Sequence, residues 1–362
     1  MLWYIGERVS TSWEVFHNHI GQYDLYAEDD PNVARLLNDM STIAIKDAEQ
    51  KPGGTQIKLL MGLKDDGEVL FKPMRYPRNT ETLPNHFYFS DYERHTAEIA
   101  AFHLDRLLGF RRAPPVVGRL VNITRDILPF ADRTLAKTFF ISPAGNLCFH
   151  GKCSYYCDTS HAICGSPIML EGSVAHMLPS SKMVLRRSVR HPWRRSYHKR
   201  KRAVWEEDND YCNVVRDTAP YNTGHRLLHL IDLAVFDFLI GNQDRHHYDV
   251  MTHFGNDSYL VHFDHGRAFG KPKFDDLSAL APLYQCCLMR YSTLDTLLKY
   301  NNGQTSLGMA LKKSLTSDPL NPILIDSHFD AVDRRVRTVL QMVYKCISQN
   351  KYYNTVIKDD GF

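Results

Sequence analysis

No apolar run in the 362 residues reaches the roughly 18 needed to cross a bilayer, so the chain carries no transmembrane segment. C-x2-C pairs are absent, as are H-E-x-x-H, the P-loop G-x-x-x-x-G-K-S/T, G-x-G-x-x-G, H-R-D and D-F-G. These absences exclude a P-loop fold and an ordinary protein kinase. They also leave a metal held by His246-His247 a poor reading, because adjacent histidines on a strand or loop point apart. No internal repeat is present, and the only biased tract is one basic run. Near the N-terminus, Met1 to Glu7 lacks an apolar stretch of about 7–15 residues, so no secretory signal is visible.

The length is that of about two domains or one bilobal unit. Hydrophobic content of 43% with 23% charge is ordinary for a globular chain. Lys plus Arg number 44 against 41 acids, a net charge of +3. Nine of those cations fall in residues 186–202, a stretch without an acid, which leaves 35 against 41 elsewhere. One basic run sits on an acidic body. Of eight cysteines, Cys148, Cys153, Cys157 and Cys164 lie within 17 residues, while Cys212, the adjacent Cys286-Cys287 and Cys346 are spread over the C-terminal half. A zinc site from His150, Cys153, Cys157 and Cys164 has irregular spacing, so disulfides are the better reading. Sequons at Asn122 and Asn256 agree with an oxidising secretory compartment. With no signal visible, either the chain is truncated or the compartment is a different one.

Residues 1–50 read as short helical pieces, including a helix over 31–40. Beyond Gly53-Gly54, the runs 56–61 and 69–72 around Asp65-Asp66-Gly67 read as a β-hairpin. Ser90-Asp91 predicts a cap for a helix reaching about Leu108, with an apolar stripe of Ala97, Ala100, Ala101, Leu104 and Leu108. Glu93 then shares the face of that stripe. It is either a first-turn acid favoured by the helix dipole or the ion-pair partner of Lys72, at the end of the preceding strand. After further β-like runs the pattern turns helical from Gly224, and residues 227–239 make a nearly all-round apolar helix that must be buried.

That buried helix opens into Gly241-Asn242-Gln243-Asp244-Arg245-His246-His247-Tyr248, and twenty residues after Asp244 a strand over 259–263 delivers Asp264-His265-Gly266. One aspartate can orient an attacking hydroxyl and the other can hold a divalent metal on a nucleotide phosphate. Phosphoryl transfer needs those two roles and a cation on the phosphates, and Lys72, Glu93, Asp244 and Asp264 supply them in chain order. Each residue alone has a blander role: Asp264 as a turn residue, Asp244 as a helix-end partner of Arg245. Gly53-Gly54-Thr55 would cover the phosphates.

The segments Gly53-Gly54-Thr55-Gln56, Phe71-Lys72-Pro73-Met74, Asp91-Tyr92-Glu93-Arg94-His95, Pro192-Trp193-Arg194-Arg195-Ser196-Tyr197, Asp244-Arg245-His246-His247-Tyr248 and Gln285-Cys286-Cys287 carry a resemblance. The chain resembles the atypical secretory-pathway kinases of the Golgi casein kinase group, from about Phe16 to Cys346. That likeness implies an α+β, atypical bilobal protein-kinase-like fold, disulfide-stabilised, with a β-rich N-lobe and a helical C-lobe. The expected division is a helical segment over 1–50, an N-lobe with a Cys-rich insertion over 51–180, and a C-lobe with the catalytic and metal-binding loops over 181–362. ATP is the implied donor, with manganese as the ion and magnesium as the alternative.

Carried over by position, Asp244 is the implied base, Glu93 and Asp264 the metal ligands, and Lys72 and Gln56 the phosphate neighbours. Ala175, His176, Met177 and Leu178 would pass the adenine. Asp249 stands where the family usually has Glu, a carboxylate one methylene shorter. The implied disulfides are Cys148–Cys164, Cys153–Cys157, Cys212–Cys286 and Cys287–Cys346, and both Asn122 and Asn256 match glycosylated positions. The implied location is the Golgi lumen or the secreted space.

Members of the group phosphorylate serine in Ser-x-Glu or Ser-x-phosphoserine contexts, phosphorylate xylose of the proteoglycan linker, or act as a pseudokinase activator. The pseudokinase has Gln and the sugar kinase Asp where this chain has Glu93, so the chain sides with the serine kinase. Xylose phosphorylation and the ATP-binding activator are the alternatives. Secreted acidic proteins are the expected substrates, no nucleic acid is expected, and a homodimer or a heterodimer with a pseudokinase relative is the assembly to test. The basic run is either a docking surface for acidic substrates or a solvated stretch balanced by Glu206, Glu207, Asp208 and Asp210.

Overall fold

The computed structural model describes residues 10–83, 91–180, 183–198, 200–255, 257–350, 352–359 and 361. Helix α1 (Ser12–His19) begins with a capping box in which the Thr11 hydroxyl accepts the Glu14 amide and the Glu14 carboxylate accepts the Thr11 amide. Asp30 caps α2 (Pro31–Thr42), whose first residue is a proline with no amide left to satisfy. The helical segment expected over 1–50 ends there, because β1 (Ile45–Gln50) is already a sheet strand. It pairs antiparallel with β2 (Leu59–Leu63), and β2 pairs with β3 (Glu68–Pro73), the hairpin the alternating pattern predicts.

Helix α3 (His95–Leu107) starts later than a cap at Ser90-Asp91 predicts. The Asp91 carboxylate accepts from the Tyr76 hydroxyl at 2.6 Å and from Arg94 Nη1 at 2.7 Å, and it is spent on those partners rather than on helix amides. Glu93 therefore sits in the approach to the helix, not on its first turn. β4 (Val116–Asn122) follows. The insertion after it holds α4 (Arg133–Ala136) and a small sheet of β5 (Phe139–Ile141), β6 (Leu147–Phe149) and β7 (Ile163–Cys164), tied by the Cys148–Cys164 and Cys153–Cys157 disulfides. β8 (Met169–His176) then enters between β3 and β4 and completes a five-stranded antiparallel sheet in the order β1-β2-β3-β8-β4.

The second lobe is mainly helical. A three-stranded antiparallel sheet in the order β11-β10-β9 joins β9 (Arg187–Arg190), β10 (His247–Val250) and β11 (Leu260–Val261). Around it lie α5 (Val204–Glu207), α6 (Tyr211–Arg216) and α7 (Arg226–Ile240), every residue of which is buried, as its all-round apolar composition requires. Gly241 ends α7 in the left-handed region at φ 71°, a conformation glycine adopts without a Cβ penalty. α8 (Ala281–Cys286), α9 (Tyr291–Asn302), α10 (Leu307–Leu315) and α11 (Asp326–Gln349) complete the lobe. Cys212–Cys286 joins α6 to α8, and Cys287–Cys346 joins the end of α8 to α11. All eight cysteines are paired, in the four pairs the resemblance implied. Among the described residues no helix is long and apolar enough to cross a membrane.

Candidate active site

A cavity of about 290 Å³ opens between the five-stranded sheet and the β10–β11 side of the second lobe. Lys72, on β3, projects into it and is almost fully enclosed. Its ammonium pairs with Glu98 of α3, with Glu93 Oε2 at 2.9 Å and with Asp264 Oδ1 at 3.1 Å. Burial alone would lower the Lys72 pKa, but the three carboxylates outweigh it and hold the ammonium charged, well above its usual range. Lys58, on the strand approach, adds a second cation 3.3 Å from Glu93 and 3.7 Å from Asp264.

Glu93, Glu98 and Asp264 offer one oxygen each, all within 4.8 Å of one another. Hard oxygen donors of this kind suit manganese or magnesium. Asp264 is the most open of the three, with 40% of its side chain exposed. Lys58 and then Lys72 keep its carboxyl far below the ordinary range against the opposing effect of burial. Its backbone is left-handed, at φ 61°, a conformation that aspartate and asparagine tolerate better than most residues. Two residues on, a Cβ at Gly266 would lie 2.8 Å from the Glu93 Cβ, so only glycine lets this loop close on Glu93. Glu98 also accepts the His265 amide at 3.0 Å, which fixes the Asp264 loop against α3.

A second cavity, of about 250 Å³, is lined by Ser188, Asp244, Arg245, His246, His247, Phe263 and Asp264. Phe263 and Asp264 line both cavities, so the two adjoin. Asp244 is placed by its own loop: its amide donates to Asn242 Oδ1 at 3.0 Å. Arg245 does not pair with Asp244. Its guanidinium grips Asp237 of α7 at 2.8 and 2.9 Å and donates to the Phe263 carbonyl at 2.6 Å, tying the Asp244 loop to the segment that carries Asp264. The Asp244 carboxylate accepts the Tyr197 hydroxyl at 2.5 Å and pairs with Arg267. Burial raises the Asp244 pKa above the usual carboxylate value, while Arg267 and Tyr197 pull against that shift.

Ala175, His176, Met177 and Leu178 line the first cavity along the end of β8 and the residues after it. Burial and the nearby His17 push the His176 imidazole down to about 3, so it is neutral, and its Nε2 lies 2.9 Å from His17 Nε2. Asp249 lines the same cavity and pairs with Arg186 at 3.1 Å, so its short side chain still has a partner. Gln56 does not line the cavity. It is buried, its amide nitrogen donates to the Asp91 carbonyl at 3.1 Å, and its side-chain oxygen has no partner among the described residues. Contrary to the expectation for adjacent histidines, His246 and His247 approach with their Nδ1 atoms 2.9 Å apart. Asn122 ends β4, with its Oδ1 accepting the Thr124 hydroxyl at 2.6 Å. Asn256 lies outside the described residues.

Sequence reasoning missed Glu98, Lys58 and Arg267. Arg267 directly follows the His265-Gly266 pair, but nothing local points to its partners.

Residues 11–355 match the family described as Golgi casein kinase, C-terminal, Fam20. The extracellular serine/threonine protein CG31145 of Drosophila melanogaster is 55% identical over 341 residues, 94% of this chain and 65% of that protein. The human extracellular serine/threonine protein kinase FAM20C is 50% identical over 350 residues, 96% of this chain and 60% of that protein. The chain therefore spans less than two thirds of the length of either relative. The crystal structure of the Golgi casein kinase with Mn/ADP bound superposes with a TM-score of 0.94 at 45% identity, covering 97% of this chain and 85% of that one. On the match over nearly its whole length, the chain belongs to the Golgi casein kinase, or Fam20, family.

Proposed function

We propose that the chain transfers a phosphoryl group from ATP to serine in acidic segments of secreted proteins, in the Golgi lumen or outside the cell. The observation that carries this reading is the adjoining pair of cavities, with Asp244 in one, Lys72 in the other, and Asp264 lining both. ATP, when bound, would supply the phosphoryl group and leave as ADP, and a bound divalent ion would neutralise the phosphate charge. Glu93, Glu98 and Asp264 are the carboxylates that would hold the ion, and Lys72 and Lys58 are the cations facing the phosphates. Ala175, Met177 and Leu178 offer an apolar wall for the base. Asp244, kept ionised by Arg267 despite its burial, accepts the proton of the seryl hydroxyl as the oxygen attacks. Four disulfides and the extracellular kinases among the relatives support the secretory location.

The test offers labelled ATP and manganese with a Ser-x-Glu peptide and a galactosyl-xyloside side by side. Asp264→Asn is the control, because asparagine keeps the left-handed backbone while removing the charge. Peptide labelling that disappears in the variant is expected. Sugar labelling alone moves the acceptor to xylose, and nucleotide binding without labelling of either moves the chain to the activator class.

A further inference from the structure

Part of the basic run is fastened to α8 and the turn before it. Arg195 pairs with Asp276 at 2.9 Å and donates to the Ser278 hydroxyl at 2.6 Å. The buried Trp193 indole donates to Gln285 Oε1 of α8 at 2.7 Å, and the Trp205 indole donates to the Arg194 carbonyl at 2.9 Å. Residues 193–195 are thereby pinned, and two residues on the backbone of Tyr197 is left-handed, at φ 58°. A bulky side chain rarely adopts that conformation, which persists only where the surroundings over-determine it. The Arg194 guanidinium lies 4.8 Å from the Tyr197 ring centroid, and the His246 ring lies 5.9 Å from it. So placed, the Tyr197 hydroxyl donates to Asp244 Oδ1 at 2.5 Å, with the main-chain oxygen of Asp244 at 3.3 Å.

The other carboxylate oxygen of Asp244 is taken by Arg267. An ionised carboxylate has about four lone-pair positions, so one donor on each oxygen leaves room for an incoming hydroxyl. Neither Tyr197 nor Arg267 lines the cavity that Asp244 shares with Ser188, His247 and Asp264. The two donors therefore hold the carboxylate from behind, and the cavity side is left to the acceptor. The terminal torsion of an aspartate is broad, so a single donor would let the carboxylate swing. Arg267 is shared with the Thr55 hydroxyl and the Asp91 carbonyl, whereas Tyr197 hangs on the segment pinned to α8.

Resting on the phosphotransferase reading above, we propose that Tyr197 is a positioning residue for the transfer, whose hydroxyl aims the Asp244 carboxylate at the acceptor oxygen. As the acceptor oxygen bonds to the γ-phosphorus and the bond to ADP breaks, the acceptor proton passes to Asp244. Tyr197 keeps its own proton and is not phosphorylated, because it stands outside the acceptor cavity. A neutral hydroxyl orients the carboxylate while weakening it as a base less than a second cation would. The role is the same for a seryl and for a sugar hydroxyl.

The test compares Tyr197→Phe, which keeps the ring and removes the hydroxyl, with Tyr211→Phe, which removes the hydroxyl that donates to the Pro192 carbonyl of the same segment at 3.2 Å. With manganese, ATP and whichever acceptor wild type labels, Tyr197→Phe should lower kcat roughly ten- to a hundred-fold, the range of a hydrogen bond to a charged group. The KM for ATP and the binding of ADP with manganese should not change. Tyr211→Phe should keep the kcat of wild type, and an equal fall in both variants would assign the effect to loosening of the segment and overturn the role. An unchanged kcat in Tyr197→Phe, a fall accompanied by a raised KM for ATP, or phosphate found on Tyr197 of wild type by mass spectrometry also overturns it. If wild type labels neither peptide nor sugar, the phosphotransferase reading fails. Crystal structures of wild type and Tyr197→Phe then judge the geometry separately: an Asp244 carboxylate turned away in the variant keeps Tyr197 as the group that orients it, and an unmoved carboxylate removes that role.

Discussion

Arg267 donates to the Asp244 carboxylate through one guanidinium nitrogen, while the other two hold the Thr55 hydroxyl at 2.9 Å and the Asp91 carbonyl at 3.2 Å. A single cation thus joins Asp244, the proposed base, to the glycine-flanked entry loop that carries Thr55. Asp244 is buried, which raises its pKa, and Arg267 is the largest influence opposing that rise.

The pH dependence of transfer follows from this pair. Asp244 must be ionised to accept a proton, and the ionised form is lost as pH falls through its pKa. Because that pKa is raised, the acid limb of kcat should lie above the ordinary carboxylate range. Arg267→Gln removes the opposing charge, raises the pKa further, and should move the acid limb to higher pH. Measuring kcat from about pH 4 to about pH 8 decides it. An unmoved limb in the variant would separate Arg267 from the charge state of the base.

Stability at low pH should depend on Glu98. Burial favours its neutral form, but Lys72 and then the His265 imidazole pull its pKa from 4.5 down to about 2. A depressed folded pKa contributes stability that is present above the unfolded value and disappears as pH falls from about 4.5 toward about 2. At 1.36 kcal/mol per unit, the contribution is about 3 kcal/mol. Glu98→Gln should therefore lower the urea unfolding free energy by about 3 kcal/mol at neutral pH and by much less near pH 3. An equal loss at both pH values would assign the effect to packing.

The disulfides should differ in weight. Cys212–Cys286 spans 74 residues of sequence and Cys153–Cys157 only 4. On the chain-entropy account, closing the long loop contributes about 4.5 kcal/mol and the short one about 2 kcal/mol. Double serine variants at each pair should differ in denaturant midpoint in that order. Equal midpoints would mean that the small insertion sheet around Cys153 depends on its bridge for more than loop closure.

Much of the site was legible because its residues are adjacent to strong local signals. Asp244 follows an apolar helix, Asp264 follows an apolar strand, and Lys72 ends a hairpin. Glu98 was not legible because residues 95–105 of α3 are all buried, so helical periodicity has no solvent face against which to single out one acid. The assignment of Glu93 to a helix face failed for a related reason. The Asp91 carboxylate prefers Arg94 and Tyr76, contacts that no cap rule anticipates.

Composition, spacing and apolar periodicity determined by themselves that the chain builds a sheet-bearing lobe before a helical one, that it has eight cysteines to pair, and that its carboxylates fall at the ends of core elements. The sequence already offered Glu93 as a partner for Lys72, a pair the structure forms at 2.9 Å, but tertiary structure alone brought Glu98, Asp264, Lys58 and Arg267 to their partners. Thr55 and Arg267 are 212 residues apart, Lys72 and Asp264 are 192 apart, and each pair depends on how the lobes close. Local pattern records which way a side chain faces along its own element. Charge pairing depends on distance in space, and only the packed chain sets that distance.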